Sequence, residues 1–240
     1  MTLSPRLGLF ALFAATAAAA SDAPVRAFQA EYATLRNGDE VGRTTLELVD
    51  ARNGEWRLRS ETRGTVGLAK LAGIHVVETS RFRWRDGRPE AIAYDYRQEG
   101  AFRQRTREAR FDWSAGEARV SEGGEAHRYP ITTGTIDRQS VTLGLASDLL
   151  RGATTFEYRV AVKDHVETMR YARGPVESVH VPAGTFEATL MRRMGEPGSD
   201  RKRVSRSWFA QSLGWLPVQI EQTEKNGDTV TLKLVSMRSD

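Results

Sequence analysis

Ile74-His75-Val76-Val77-Glu78-Thr79-Ser80-Arg81-Phe82-Arg83-Trp84-Arg85, closed by Asp86-Gly87, is the stretch whose period decides the fold. Successive strand residues point to opposite faces, so Ile74, Val76, Phe82 and Trp84 share one side while His75, Thr79, Arg81, Arg83 and Arg85 share the other. This is the period of a half-buried antiparallel strand, and Asp-Gly is a hairpin turn. Glu78 and Ser80 interrupt the apolar side.

The pattern continues in both directions. Trp56, Leu58 and Ser60 alternate with Arg57, Arg59 and Glu61, and Ile92, Tyr94 and Tyr96 alternate with Ala93, Asp95 and Arg97. Asn37-Gly38, Asn53-Gly54, Gly123-Gly124 and Asn226-Gly227 supply further turns. In the C-terminal half Phe156, Tyr158, Val160 and Val162 form another apolar row. Leu216, Val218 and Ile220 then face Val230, Leu232 and Leu234 across Lys225-Asn226-Gly227-Asp228, which predicts a closing hairpin.

Helix is scarce. The one long candidate starts at Asp137 as N-cap, runs through Val141, Leu145, Leu149 and Leu150 with Val141, Leu145 and Leu149 on a stripe facing the sheet, and stops at Gly152. Gly144 costs it about 1 kcal/mol relative to alanine. Val66 to Ala72 reads as a helical turn or two, and Gly195 to Lys202 as a loop. The expected fold is mainly β: a long curved antiparallel sheet, half-barrel or open barrel, with one helix packed on or in its concavity. An ordinary sandwich is the alternative.

At the N-terminus, Arg6 precedes the apolar run Leu7 to Phe13 and the small residues Ala17 to Ala20. That order is a cleavable secretory signal over residues 1–20, which leaves one domain over 21–240 in the periplasm. The apolar run is too short to cross roughly 30 Å of hydrocarbon, so the processed chain does not span the membrane. No cysteine is present among the 240 residues, which excludes disulfides, thiol catalysis and thiolate metal sites. The net charge is +4, with arginines scattered through every segment rather than gathered in a groove, so nucleic acid is not an expected partner.

Few residues point to catalysis. His75, His127, His165 and His180 lack metal-ligand spacing and read as surface or satisfied core histidines. Ser140 has no glycine-framed elbow and sits at a helix start, where hydroxyls cap. Gly64, Gly67 and Gly73 are not spaced as a phosphate cradle, and no cofactor is implied. Glu78 is the most informative residue, because a carboxylate in an apolar row must reach solvent, pair with a cation or line a cavity. The rows Arg81/Arg83/Arg85 and Arg103/Arg105/Arg107 read mostly as a solvated face, because Glu, Asp and Gln interleave with them, and alternatively as a cationic stripe for phosphate or carboxylate groups of envelope lipids.

Several short motifs follow one another in a set order along the chain. The motifs are Tyr32 followed by Gly38 and Gly42, then Glu78-Thr79-Ser80-Arg81-Phe82 leading to Asp86-Gly87-Arg88-Pro89, and Asp137-x-x-Ser140. Val181-Pro182-Ala183-Gly184-Thr185-Phe186, Trp208 and Leu216-Pro217-Val218 complete the series. In that order the motifs resemble an exported bacterial family known only as domain of unknown function 3108, and the resemblance implies an envelope protein and no particular reaction. Its sheet plan is also similar to periplasmic lipoprotein-carrier half-barrels, which hold acyl chains against an apolar concave sheet.

The functional expectation is a non-enzymatic protein of the cell envelope. It binds an apolar or amphipathic ligand such as a lipid, or an envelope protein, against Trp56, Glu78, Phe82, Trp84, Tyr94 and Tyr96. The alternative is a surface module holding anionic lipid or another envelope protein through its arginines, with a hydrolase as a third reading.

Overall fold

Each turn pair named above closes a hairpin, and the hairpins add into one sheet. Asn37-Gly38 (φ 52° and 94°) and Asp86-Gly87 (φ 51° and 71°) both hold the positive φ angles that a tight type I′ turn needs. The computed structural model describes residues 23–101, 104–195, 204–224 and 226–239. The expected signal 1–20, most of the loop at 195–202, and Arg103 lie outside the described residues.

The N-terminal half is a meander of β1 (Phe28–Arg36), β2 (Asp39–Asp50), β3 (Glu55–Gly64), β4 (His75–Arg85), β5 (Arg88–Glu99), β6 (Arg105–Asp112), β7 (Glu117–Glu122) and β8 (Glu125–Pro130). A one-turn helix, α1 (Gly67–Leu71), sits between β3 and β4. Then come the short β9 (Thr135–Ile136) and the buried helix α2 (Val141–Leu150). The second half contains β10 (Phe156–Ala161), β11 (Val166–Val181), β12 (Gly184–Arg193), β13 (Val204–Ala210), β14 (Leu216–Thr223) and β15 (Thr229–Ser239).

All belong to one 15-stranded sheet in the order β8 to β1, then β15 to β9, so the first and last strands meet at its centre. Every pairing is antiparallel except β9 with β10. The sheet is open. Its two edges approach through side chains, Tyr129 Oη donating to the Val162 carbonyl at 2.6 Å and Lys163 pairing with Glu125. At the centre, Tyr32 is fully buried and donates to the Pro217 carbonyl at 2.8 Å, tying β1 to β14 across β15.

The helix differs from its expected form in two respects. It begins at Val141, with Ser140 as N-cap, because the Asp137 carboxylate holds the preceding turn by accepting from the backbone N–H groups of Gln139 (2.9 Å) and Ser140 (3.0 Å). It also has no exposed polar stripe along most of its length: Leu143, Gly144, Ala146, Ser147 and Asp148 are buried along with Val141, Leu145 and Leu149. A helix apolar nearly all round is one enclosed on all sides. Here α2 lies inside the concavity, and its residues share one core with Phe28, Leu48, Trp56, Leu58, Phe82, Tyr158 and Phe209. Gly144 is required by that enclosure, since a Cβ there would sit 2.8 Å from the Tyr158 ring.

Candidate functional site

Directly paired residues of neighbouring strands face the same side. The register therefore lays out the concave surface of the N-terminal half in rows. One row runs Phe28, Leu48, Leu58, Ser80, Tyr94, Ala109, Val120, and the next runs Ala30, Leu46, Ser60, Glu78, Tyr96, Arg107, Glu122. A third runs Tyr32, Thr44, Thr62, Val76, Gln98, Arg105. The surface thus passes from apolar to polar along the strands. A hydroxyl ladder of Thr34, Thr44 and Thr62, at 2.8 and 2.7 Å, marks the polar end.

Helix α2 fills the apolar end alone. Its C-terminal turn is clamped to the β4–β5 turn, with Arg88 gripping buried Asp148 at 3.0 and 3.2 Å, Tyr158 Oη donating to it at 2.7 Å, and Arg151 pairing with it. Ser147 Oγ donates to the Gly87 carbonyl. At its N-terminal end the chain reaches only to the Ser80 row. Ser80 Oγ lies 2.6 Å from Asp137 and 2.9 Å from Gln139, Ser140 Oγ donates to Asp137 at 2.6 Å, and Gln139 reaches the Glu78 carbonyl at 3.3 Å.

Glu78 stands just beyond the part of the concave face that α2 and its leading turn cover. It has no ion pair among the described residues. Tyr94 Oη donates to it at 2.5 Å, and burial pushes its carboxyl above the ordinary range, against the pull of that hydrogen bond and of nearby Arg138 and Arg107. Burial likewise raises Asp137 against its four hydrogen bonds. Tyr94 is raised by burial and by the Glu78 charge. Arg138 acts electrostatically on Glu78, Tyr94 and Tyr171 yet is exposed, although Asp137 and Gln139 on either side are buried. Solvent therefore reaches the leading turn of α2 from the polar end.

The six residues expected to line a site fall into two groups. Trp56 and Phe82 are core residues under α2, and part-buried Trp84 packs edge-on to both, at centroid distances of 6.4 and 5.2 Å. The Trp84 indole N–H finds no acceptor among the described residues. Glu78, Tyr94 and Tyr96 lie toward the polar end, with Tyr96 donating to Gln98 at 2.9 Å. Ile92 leaves the Tyr94 and Tyr96 row because a bulge between Arg81 and Phe82 brings Ala91 opposite Phe82. Two surface depressions, one beside Trp113 and one between Arg88 and Arg159, include none of the six.

The arginine rows do not form one stripe. Arg81 and Arg83 face outward onto Glu55, and Arg85 onto Glu90, whereas Arg105 and Arg107 turn into the concavity and share Glu122. The register decides this, since Arg107 pairs with Tyr96 and Tyr96 with Glu78. The sequence reading missed the Ser80, Asp137, Gln139 and Ser140 cluster. Its available signal was a second polar residue, Ser80, beside Glu78 in an otherwise apolar row. Among the described residues no group of acids and histidines is placed to hold a metal, and His75, His165 and His180 bond Glu61, Asp164 and Thr185. No helix of the described residues is long and apolar enough to cross a membrane.

A family model described as a protein of unknown function, DUF3108, matches residues 27–235. Among solved structures, a β-barrel-like protein of domain of unknown function DUF1849 from Brucella abortus aligns with a TM-score of 0.56. It is 10% identical and covers 90% of this chain and 98% of its own. That likeness is one of fold. A "putative lipoprotein" from Parabacteroides distasonis, 12% identical, covers 90% of this chain and 97% of its own at a TM-score of 0.38, and carries no argument. No curated protein matches the chain, and neither the family description nor that of the Brucella abortus structure names a catalytic activity.

Proposed function

The chain belongs to the DUF3108 family, and from that premise we propose that it is a non-enzymatic periplasmic protein which binds an amphipathic molecule at the unfilled end of its concave sheet. One observation carries the reading: α2 and the turn that leads into it cover one end of the concavity as far as Ser80 and the Glu78 carbonyl, and beyond them stand an exposed arginine and part-buried walls. Arg138 makes no ion pair among the described residues and is suited to an anionic oxygen of a head group. Glu78, held toward its neutral form, and Tyr96 are suited to hydrogen bonding beside it. Part-buried Val76, Ile220 and Leu232 offer apolar contact on both halves of the sheet. Trp56 and Phe82 back this surface as packed core, with part-buried Trp84 against them.

The test is native mass spectrometry of protein purified from a bacterial periplasm. A copurified amphiphile that is retained by the parent and depleted in Arg138→Ala and Glu78→Gln is the expected result. Absence of any bound amphiphile, together with no uptake of added fatty acid or lysophospholipid, overturns the reading. Binding through outward arginines would weaken steeply with salt, whereas binding in the concavity would respond little. The division of the arginines between two faces favours the concavity.

A further inference from the structure

Most of the large apolar side chains left exposed among the described residues gather at one end of the sheet. Leu68 and Leu71 are each 82% exposed and Val66 48%, all in or beside α1, while Met194 (53%) and Val204 (37%) bound the β12–β13 connection. The register shows that these two groups share an end. Gly64, the last residue of β3, pairs with Gly42, Gly42 with Thr34, Thr34 with Leu232, Leu232 with Ile220, Ile220 with Ser207, and Ser207 with Met191. It is the end that α2 leaves unfilled. Two apolar lips therefore flank the mouth of the concavity, one on each half of the sheet.

The α1 lip is fixed in place. Thr65 and Val66 N–H groups both reach the Val41 carbonyl, Gly64 N–H the Ile74 carbonyl, and Ala101 N–H the Ala72 carbonyl. Gly64 is needed for that seat, because a Cβ there would lie 2.5 Å from the Ala69 carbonyl oxygen. A backbone so tied could have turned its leucines inward, yet none of the helix's residues is buried. The nearby charge is mixed, since Asp39 and Glu224, at the hairpin turns between the two lips, are exposed and make no ion pair among the described residues, but each lip carries a free cation. Lys70 beside the leucines and Arg192 beside Met194 are exposed and make no ion pair among the described residues. Rim acids Asp228 and Glu40 are engaged by Arg36 and Arg43.

We propose that this rim is a docking surface for a lipid bilayer bearing anionic head groups, with Leu68 and Leu71 entering the interface and Lys70 and Arg192 lying among the phosphates. Apolar side chains interleaved with free cations are the chemistry of interfacial binding. The proposal stands whether or not the concavity holds a ligand, since it concerns the outer rim.

Flotation with vesicles of phosphatidylethanolamine and phosphatidylglycerol tests it, using the full chain as the host cell processes it. The parent is expected to float, less so at high salt and on phosphatidylcholine alone. Leu68→Asp/Leu71→Asp should lower partitioning at least about tenfold, and Lys70→Ala about fivefold on the anionic vesicles only. Melting should be unchanged in both, since the altered side chains are exposed. A parent that stays in solution, or a double variant that floats like the parent, overturns the proposal. So does a parent that self-associates through the leucines without floating, which would make a second copy the occupant. Loss of flotation with copurified amphiphile unchanged separates this surface from the concave site.

Discussion

The two ends of the concave face are built from the same strands and differ in how their polar groups are satisfied. At the α2 end, buried Asp148 is held by Arg88, Arg151 and Tyr158, and the aromatic rings beside the helix are packed out of water. At the other end Glu78 has one tyrosine hydroxyl, Arg138 lies open to solvent, and the wall residues are only part-buried. The alternation of a strand sets which side chains share a face. What occupies the space above that face decides whether they become core or surface, and here a ten-residue helix covers only the end toward the β4–β5 turn.

The comparison breaks most readily at the filled end. Leu145→Asp places an unpaired carboxylate in a site 2% exposed and should cost about 5 kcal/mol. Parental urea unfolding in that variant would show that α2 is not core. Asp148→Ala should cost less, about 2 kcal/mol. Arg88 and Arg151 are 45% and 39% exposed, so the cations it strands can turn to water, which spares the larger loss expected of a fully buried pair. A loss as great as that of Leu145→Asp would mean that the clamp cannot relax.

At the open end the expected effects are smaller and depend on pH. Burial raises Glu78 and Asp137, so the folded chain holds their protons more tightly than the unfolded chain does. The stability this confers is complete below the unfolded carboxylate range, about pH 4, and is lost as pH rises through the raised folded values. Glu78→Gln should flatten that decline and change stability at neutral pH by about 1 kcal/mol or less, because an amide oxygen still accepts from Tyr94. Urea midpoints measured across pH would check this, and an unaltered pH profile would place the Glu78 carboxyl in water. Smallest of all, Arg81→Ala on the convex side should cost under about 0.5 kcal/mol, since its pair with Glu55 is half exposed and screened.

The strands were legible because a half-buried strand writes its period into the sequence. Phe82, Trp84 and their arginine neighbours fall on the sides that their alternation predicts, and the Asn-Gly and Asp-Gly turns fall where hairpins close. The start of α2 was less legible. Asp137 has the composition of an N-cap, but its bond from Ser80 spans 57 positions of sequence and cannot be inferred from local pattern. The inward turn of Arg105 and Arg107 escaped for a similar reason. A row of arginines reads as solvated surface until Glu122, supplied by the next strand, gives both a partner inside the concavity.

The pairing of β1 with β15 has a kinetic side. Apart from the short β9, every other ladder joins strands that follow one another along the chain, so each half can zip up through local hairpins. The central joint instead matches Phe28 with Ser239 and must wait for the last strand to arrive. Closing such a distant contact is slow, and until it happens β1 exposes an unpaired edge to other chains. Rejoining the chain so that β15 runs directly into β1, with new ends opened between β8 and β9, would make that joint a hairpin too. A permutant of this kind should reach the same sheet faster and aggregate less on the way.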